Sequence, residues 1–504
     1  MEKDDKKLKF IISHAKSYGF IFPSSEIYDG LKAVYDYGQY GISLKNNIKE
    51  YWWKSMTQLH ENIVGIESSI FMHNKVWKAS GHIDEFHDII LYNEKTKKSY
   101  RLDLLIEEFL EKINDYNWFL KKNSVMTIKF TNQLNLFKKE FKKNILSYIE
   151  NCLNSNKILE IGLIKKILKK INFFEKKYKN CFNFYKLNLM FIVYIKNIYN
   201  EKKIYLRPET AQGSIINFLN VKKTSKMKIP FGIAQIGKVF RNEITARQFL
   251  FRLREFEQME MQFFLSPGEE VKWYDYWKEY RLKWHLSLGF KKKNYRFYNH
   301  DKLAHYSQSA CDIQFKFPFG FKELEGIHSR TDFDIKNHEI FSKKKIRYFD
   351  IKKNISYRPY IIETSLGLDR MFLAIFSSSL KEEILKNNTK RIVLKLPYIL
   401  APIKAAILPL VKDKQLIVIG KKIFKKLKLD YSLIYDEKDS IGKRYRRQDA
   451  IGTPLCLTID YESIKDNCVT IRFRDSMIQK RILILEIKKN IEKLIDLKKF
   501  LNFI

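Results

Sequence analysis

Cysteine is scarce in this chain of 504 residues: the five cysteines are scattered, and no two form a Cys-x-x-Cys pair. Their odd number and wide spacing match neither a disulfide framework nor a zinc knuckle. We therefore expect a reducing, cytoplasmic setting and no structural zinc or other bound metal. The N-terminus has no apolar signal core, and no apolar run approaches the roughly 18 residues of a membrane-spanning helix, so we expect no membrane segment.

Glycine and proline are also few, at 18 and 10 residues, and acidic residues are outnumbered, with 57 Asp and Glu against 94 Lys and Arg. The resulting net charge of +37 favours nucleic acid as a partner. Drift toward A/T-rich codons would produce the same richness in Lys, Asn, Ile and Phe, so both explanations stay open. A hydrophobic content of 45% with 15% aromatic residues is sufficient for the cores of a multidomain globular protein.

Composition divides the chain into regions. Residues 104–200 contain no proline and a single glycine, and their apolar residues recur in helix-like runs, so we predict an inserted helical subdomain. Short β-like runs from about 204 to 376 predict an antiparallel sheet. Beyond Arg391, strand-like runs alternate with helix-like spacers, which predicts an α/β domain. Its predicted strands are 405–411, 416–420, 432–436, 454–460 and 468–475.

The most specific polar pattern is FRNEITARQFLFRLREFEQME, residues 240–260. Arg241 and Glu243 are two apart, which predicts one face of a first strand of a hairpin. Six even-numbered positions, five of them polar, then alternate onto one face of a second strand. These are Arg252, Arg254, Phe256, Gln258, Glu260 and Gln262.

Three further clusters combine arginine with glutamate. In the first, Arg207 and Glu209 are predicted to share a strand face, and Thr210 to cap a helix. The second holds Glu323 and Glu325 before an Arg-Thr-Asp turn. The third, IIETSLGLDRMFLAIF at 361–376, predicts a strand followed by a helix with Arg370 in its first turn. That helix should bury an apolar stripe made of Leu368, Met371, Phe372 and Ile375.

These residue types suit a nucleotide together with a cationic substrate. Arginine offers planar, permanently charged donors to phosphate oxygens, each contact being worth roughly 1.5–3 kcal/mol when desolvated. Glutamate can hold an amino group or a nucleotide-bound Mg²⁺. A ring such as Phe256 can stack on a base.

Several of these motifs resemble those of a known protein family. FRNE followed by Arg252, Phe256 and Glu260 is similar to motif 2 of the class II aminoacyl-tRNA synthetases, and GLDR at 367–370 to their motif 3. Four longer strings resemble the dimeric glycyl-tRNA synthetases. They are GFIFPSSEIYDGLKAVYDYG at 19–38, YLRPETAQG at 205–213, FRLREFEQME at 251–260 and IGKRYRRQDAIGTP at 441–454.

The resemblance implies a multidomain α+β and α/β fold. Residues 1–103 would form the N-terminal part of the catalytic domain, with a homodimer interface within 22–56. Residues 104–200 would be the lysine-rich helical insertion, 201–385 the catalytic core with its antiparallel sheet, and 391–504 the anticodon-binding domain. The implied reaction is ATP-dependent activation of glycine, with Mg²⁺, followed by its transfer to tRNA(Gly).

The resemblance also implies site residues, with Arg241, Glu243 and Arg370 as the catalytic ones. ATP would contact Arg241, Asn242, Glu243, Phe251, Arg252, Leu253, Arg254, Glu255, Phe256, Glu323, Leu324, Gly367, Leu368, Asp369 and Arg370. Glycine would contact Arg101, Glu209, Phe256, Glu257, Gln258, Met259, Glu260, Glu363, Thr364, Ser365, Leu366 and Gly367. The tRNA would contact Lys443, Arg444, Arg446 and Arg447.

Two other interpretations remain open at this stage. A non-catalytic tRNA-binding or regulatory paralogue would have lost the ATP arginines, yet Arg241, Arg252 and Arg370 are present. An enzyme that adenylates another small acid would not need the C-terminal basic helix, whose charges could otherwise form an ordinary solvated face. HSRTD at 328–332 replaces the more usual ADRTD of the family and removes no charge that the reaction needs.

Overall fold

The computed structural model describes residues 2–93, 97–106, 147, 181–196, 200–244, 248–300, 308–385 and 388–501. In chain order the described strands are β1 (Ile21–Pro23), β2 (Tyr35–Tyr37), β3 (Ile63–Gly65), β4 (His87–Asn93), β5 (Lys98–Arg101), β6 (Cys181–Asn188), β7 (Ile192–Lys196), β8 (Glu201–Tyr205), β9 (Phe231–Phe240), β10 (Glu255–Leu265), β11 (Tyr295–Asn299), β12 (Ser309–Phe317), β13 (Gly320–Thr331), β14 (Tyr348–Asp350), β15 (Ile355–Tyr357), β16 (Tyr360–Gly367), β17 (Leu380–Ile384), β18 (Lys390–Leu394), β19 (Ala405–Pro409), β20 (Leu433–Tyr435), β21 (Leu455–Ile459), β22 (Cys468–Phe473) and β23 (Gln479–Leu483).

The α-helices in the same ranges lie before, between and after these strands along the chain. They are Glu2–Ser17, Gln39–Thr57, Asn74–Ala79, His82–Glu85, Ala211–Ile216, Phe218–Ser225, Glu270–Ser287, Phe333–Ser342, Leu368–Ser379, Lys414–Leu427, Ile441–Ile451, Glu462–Asp466, Ile487–Ile495 and Leu497–Leu501. In the described part of the chain, no helix is both long and apolar enough to cross a bilayer.

The chain divides into two compact units. The first comprises Met1–Ile70, Glu209–Val239 and Gln248–Ile504, and the second Phe71–Pro208 and Phe240–Arg247. In the first unit, seven of the described strands form one sheet in the order β11-β12-β13-β16-β10-β9-β3. β13, β16 and β10 pair antiparallel, whereas the edge strand β3 runs parallel to β9. The predicted antiparallel sheet is confirmed.

Amphipathic helices cover one face of this sheet. The helix Gln39–Thr57 buries Leu44, Ile48, Tyr51 and Trp52, as their spacing predicted. The helix Leu368–Ser379 follows directly from β16, and the predicted stripe of Leu368, Met371, Phe372 and Ile375 is buried in the same core. Burying each such side chain contributes roughly 1.5–3 kcal/mol, so the strand-to-helix corner is fixed firmly.

A second sheet of the first unit contains five of the described strands in the order β20-β19-β21-β22-β23. β19 runs parallel to both β20 and β21, which gives the predicted α/β character. The strand predicted at 416–420 is wrong, because these residues lie in the helix Lys414–Leu427. Asp413 caps that helix, and the buried residues Leu416, Gly420, Ile423 and Leu427 recur at helical spacing. A short run of consecutive apolar residues shows neither a strand period nor a helix period, so the sequence alone does not distinguish a strand from a helix here.

The second unit contains the sheet β5-β4-β6 and the hairpin β7–β8. Its described core joins Trp77, Met190 and Tyr205. Within the predicted helical insertion, β6 and β7 are strands rather than helices, and β7 is mostly exposed. The rest of that prediction falls largely outside the described residues.

Candidate active site

The sheet register brings several predicted site residues together in the first unit. β10 pairs with β16 so that Glu260 faces Ser365 and Gln262 faces Glu363. β13 places His328 opposite Glu363 on the other side of β16. Since alternate residues share a face, these side chains form one polar patch on the sheet.

Glu260 is held by donors on both of its oxygens. Ser365 Oγ donates to Oε1 at 2.6 Å, and the Thr210 backbone N–H donates to Oε2 at 3.0 Å. Burial, with Glu363 and Glu209 nearby, raises the pKa of Glu260 to about 7, against the opposing effect of these hydrogen bonds. Thr210 does occupy the helix N-cap, but its hydroxyl donates to Glu260 instead of capping the helix as predicted.

Glu363 is a buried carboxylate with three side-chain partners. Arg330 Nη1 and Gln262 Nε2 donate to Oε2 at 3.0 and 2.8 Å, and His328 Nδ1 lies 3.0 Å from Oε1. Burial favours protonation of Glu363, yet Arg330 and His328 together hold its pKa below the usual value. Glu363 in turn raises the pKa of His328 despite the burial of that ring.

Arg330 links this patch to Glu209. Its guanidinium makes a two-point contact with Asp334, at 2.8 and 3.1 Å, and its Nη2 lies 3.8 Å from Glu209. Gln212 Nε2 donates to both Glu209 and Asp334. His338 Nε2 forms a hydrogen bond with Oε1 of the same Gln212 amide.

The patch contains more negative than positive charge. Among the described side chains, the carboxylates of Glu209, Glu363 and Asp334 pair with Arg330, which is only 1% exposed, and Glu260 lies close to Glu363 and Glu209. Even a protonated His328 leaves an excess of carboxylates. Because buried charges need partners, this arrangement is suited to a small cation such as an ammonium group.

A second group of predicted residues lies around Arg370. Its Nη1 is 3.0 Å from the Glu323 carboxylate, and its Nε donates to the Phe251 carbonyl at 3.2 Å. The guanidinium also stands over the Phe251 ring, 4.4 Å from its centroid. Glu323 and Glu325 were predicted as a pair, but a β-bulge between them shifts the register. Glu325 is instead fully buried against Arg281 and His285, which sequence did not suggest.

Several predicted contacts face the helices and the core instead of the polar patch. Glu257 and Asp369 both bind the buried Lys45, at 2.6 and 3.3 Å, and the Tyr37 hydroxyl also donates to Asp369. Glu257 lies on the face of β10 opposite to Glu260, because odd and even positions of a strand point to opposite faces. Asp369 lies in the first turn of the helix Leu368–Ser379. The side chains of Leu253, Met259, Leu324, Thr364, Leu366 and Leu368 are also buried, and their predicted contacts with substrate stay predictions.

Strand boundaries also differ from the predicted hairpin. β9 ends at Phe240, so Arg241 and Glu243 follow the strand instead of sharing its face. β10 begins only at Glu255, so Arg252 and Arg254 precede it. Likewise β8 ends at Tyr205, before Arg207 and Glu209, which belong to different units. Glu255 forms an ion pair with Lys238.

In the second unit, Arg241 and Arg101 each have defined partners. Arg241 Nε donates to the Pro208 carbonyl at 3.0 Å, and its guanidinium stands over the Phe86 ring. Arg101 pairs with Asp88 at 3.2 Å and with Asp103 at 2.8 Å. Burial opposes the charge of Arg101, but these acids, with Glu243, raise its pKa.

The predicted basic helix is confirmed as Ile441–Ile451, between Ser440 and Gly452. Its four predicted tRNA contacts are not equivalent. Lys443 and Arg446 are exposed, whereas Arg444 is only 2% exposed and donates to the carbonyls of Pro409, Leu410 and Asp436. Burial argues against a phosphate contact by Arg444, which corrects the prediction for that residue. Arg447 is partly exposed and pairs with Asp436 and Asp439.

Comparison with known proteins agrees with this architecture. Residues 185–379 match the family model of the tRNA synthetase class II core domain (G, H, P, S and T), and residues 404–494 match the anticodon binding domain. Prolyl-tRNA synthetase from Giardia lamblia has the same fold, with a TM-score of 0.58 at 15% identity over 99% of this chain and 81% of its own. The sheet and its flanking helices therefore define a class II aminoacyl-tRNA synthetase.

Relatives that match over nearly their full length identify the family within this class. Glycine--tRNA ligase of Chlorobaculum tepidum is 43% identical over 94% of this chain and 96% of the relative. The same-named protein of Geobacillus thermodenitrificans is 45% identical over 98% of this chain and 99% of the relative. The chain belongs to the glycine–tRNA ligase family.

The residues that sequence analysis missed are mainly those that hold the glutamates. His328, Asp334 and Lys45 gain their importance from cross-strand or helix-to-sheet contacts, which no local pattern shows. Gln262 was already predicted to share the face of Gln258 and Glu260 along β10, but no contact with Glu363 was predicted for it. In the described ranges, no three His, Cys, Asp or Glu side chains are grouped so as to hold a metal ion.

Proposed function

We propose that this chain activates glycine with ATP and then transfers the glycyl group to tRNA(Gly). In the first step the glycine carboxylate attacks the α-phosphate of ATP, and pyrophosphate leaves. In the second step a terminal ribose hydroxyl of the tRNA attacks the glycyl carbonyl, and AMP leaves. Protein groups act here by positioning and electrostatics, without a covalent enzyme intermediate.

The excess of carboxylates around Glu260 carries this proposal. Glu209, Glu260 and Glu363 would share the glycine ammonium group, and Ser365 fixes the orientation of Glu260. We expect tight packing around the glycine Cα. An added methyl group would then be penalised by overpacking, which costs typically 1–3 kcal/mol.

The nucleotide roles are proposed from the motifs and their surroundings. Arg370 would bind the terminal phosphates, and Glu323 beside it would hold the Mg²⁺ that accompanies ATP. The half-exposed Glu323 carboxylate fits that role, because Mg²⁺ usually keeps most of its ligands as water and phosphate oxygens. Phe256 would stack on the adenine.

Three further residues have proposed roles. Arg241 would bind the α-phosphate and Glu243 the adenine amino group, with Arg101 contributing to the glycine pocket. In the C-terminal domain, the exposed Lys443 and Arg446 would contact the tRNA, where neutralised phosphates dominate affinity.

We also propose a homodimer that uses the segment 22–56. This segment exposes Ile27, Tyr28 and Leu31, the first of them to 87%. Adjacent exposed apolar side chains of this size are typical of a protein interface. Light scattering of the purified protein at micromolar concentration should give twice the chain mass, and Ile27→Lys should give the single-chain mass.

Two assays test the activity. Glycine should drive ATP–pyrophosphate exchange far better than alanine or serine, and tRNA(Gly) should then be charged. Exchange without a preference for glycine would contradict the amino-acid assignment. Exchange with glycine but no charging would contradict the role of the C-terminal domain, and the absence of any exchange would favour a non-catalytic paralogue.

A further inference from the structure

A separate cavity of about 660 Å³ lies in the first unit and shares no residue with the glutamate patch. Its walls come from separate parts of the chain. They are residues within 288–294 after the helix Glu270–Ser287, Ser378 with Lys381 of β17, the segment 395–398 after β18, Arg474 with Asp475, and Phe500. Its volume falls within the range of about 300–1,000 Å³ that small-molecule sites occupy.

Lysines rim this cavity without matching acids. Lys291, Lys293 and Lys381 line it, and none of the three pairs with an acidic group among the residues that the structure describes. A fourth lysine, Lys395, is compensated by Glu383 at 2.5 Å. Lysines are common in this chain, but these converge on one concave surface.

The convergence has a measurable electrostatic consequence. Partial burial and then the positive charges of Lys7, Lys395 and Lys291 lower the pKa of Lys381. Like charges at this range repel one another, and an anion placed among them would remove the repulsion.

The floor of the cavity is already neutral and fixed. Arg474 donates to the carbonyls of Gly452 and Leu396 at 2.8 and 2.7 Å and pairs with Asp475. The Tyr398 hydroxyl donates to the same acid at 2.7 Å. The uncompensated positive charge is therefore at the rim, supplied by flexible ammonium groups, while the floor offers a rigid surface.

We propose that this cavity binds a small polyphosphorylated ligand. Three uncompensated ammonium groups match a chain of two or three phosphates better than a single carboxylate, because each phosphate adds charge and acceptor oxygens. The rings of Phe290, Tyr398 and Phe500 also line the cavity and offer surface for a nucleobase. The shared chemistry is the polyphosphate chain, carried either by a nucleotide or by inorganic polyphosphate.

The experiment uses the full chain with its glycine site blocked. The protein is saturated with 5'-O-(glycylsulfamoyl)adenosine, and inorganic tripolyphosphate is then titrated in by calorimetry, with GTP in a parallel titration. One equivalent should bind per chain. The variant Lys291→Ala/Lys381→Ala should weaken that binding by at least about tenfold. GTP that binds tighter than tripolyphosphate identifies a nucleotide site, and equal affinities identify the polyphosphate chain as sufficient.

The matched control is Lys352→Ala/Lys353→Ala, which removes two exposed lysines of the same unit. It should stay within about twofold of the unsubstituted protein. An equal loss in both variants would mean general charge attraction and would overturn the proposal, as would the absence of binding at millimolar concentration. A raised KM for tRNA in the cavity variant, without tripolyphosphate binding to the parent, would make the cavity an RNA contact and equally overturn it. None of these outcomes bears on glycine-dependent exchange.

Discussion

Ser365 Oγ donates to Glu260 Oε1 at 2.6 Å, across the pairing of β16 with β10. The Thr210 backbone N–H holds the other oxygen of the same carboxylate. With both oxygens fixed by strands and a helix start, Glu260 is oriented before any substrate arrives. Such preorganisation lowers the cost of binding a small cation.

The first prediction concerns the charge of Glu260. Glu260→Gln keeps the shape but removes the negative charge, so a charge-assisted contact worth about 1.5–3 kcal/mol is lost. Glycine-dependent ATP–pyrophosphate exchange should fall about 10- to 150-fold in kcat/KM. The exposed Glu279→Gln serves as control and should retain full exchange. A similar loss in both variants would show that Glu260 has no special role.

The second prediction concerns proton release. Because burial and neighbouring carboxylates raise the pKa of Glu260 to about 7, the free protein holds a proton there in mildly acidic solution. A bound ammonium group favours the ionised form of Glu260, so glycine should bind more tightly as the pH rises through about 7. Below that pH, glycine binding should release the proton of Glu260. Calorimetry in two buffers of different ionisation enthalpy measures that release.

Glu260→Gln is the control for this measurement and should release no proton. The same raised pKa stabilises the fold below 4.5, and that contribution is lost as the pH rises through about 7. Undiminished proton release in the variant would assign the titration to another group.

The third prediction concerns His328 as a positioning residue. Its ring holds Glu363 Oε1 at 3.0 Å, opposite the Gln262 and Arg330 contacts. His328→Ala should raise the KM for glycine about tenfold, with a smaller effect on kcat, because a misplaced Glu363 weakens binding before chemistry. His328→Gln keeps a donor and should recover part of the loss. Unchanged KM in His328→Ala would contradict this role.

The fourth prediction separates stability from activity in β13. Glu325 is fully buried between Arg281 and His285, and Arg281 holds the pKa of Glu325 low despite the burial. Glu325→Gln should lower the free energy of unfolding by about 3–5 kcal/mol, since it leaves a buried charge without its partner. Urea denaturation measures this change. Glu323→Gln, at an exposed position, should cost less than about 1 kcal/mol.

The fifth prediction divides the basic helix Ile441–Ile451 into two kinds of residue. Lys443→Ala/Arg446→Ala should raise the KM for tRNA several-fold and leave the unfolding midpoint unchanged. Arg444→Met should lower that midpoint, because three backbone carbonyls lose their donor. If Arg444→Met altered only the KM for tRNA, the structural role of Arg444 would be wrong.

Local sequence patterns correctly predicted the helices and strands in which apolar residues recur at regular spacing. The strand and helix at 360–379 follow from an apolar stripe at helical spacing after a β-like run, and both are confirmed. The helix that contains 416–420 was mistaken for a strand because its apolar residues are consecutive there. Family resemblance supplied Glu209, Glu260 and Glu363, which do lie together.

Contacts between distant segments could not be predicted in the same way. Arg444 and Arg446 look alike in sequence, and only the packing of neighbouring loops decides which of them is buried. The same holds for Glu257, whose partner Lys45 lies more than 200 residues away. His328 required the register of β13 against β16, and the bulge beside Glu325 changes that register within a few residues.

A buried junction in the C-terminal region sets a practical limit on dividing this protein. Asp449 accepts hydrogen bonds from Arg391, at 2.8 Å, and from Arg472, at 2.9 Å. The anticodon-binding match begins only at residue 404, so a fragment cut there would keep Asp449 and Arg472 but discard Arg391. A fragment that begins before β17 would retain all three side chains. It would therefore keep the buried ion pairs of Asp449 complete, which a fragment with the boundary of the family match would not.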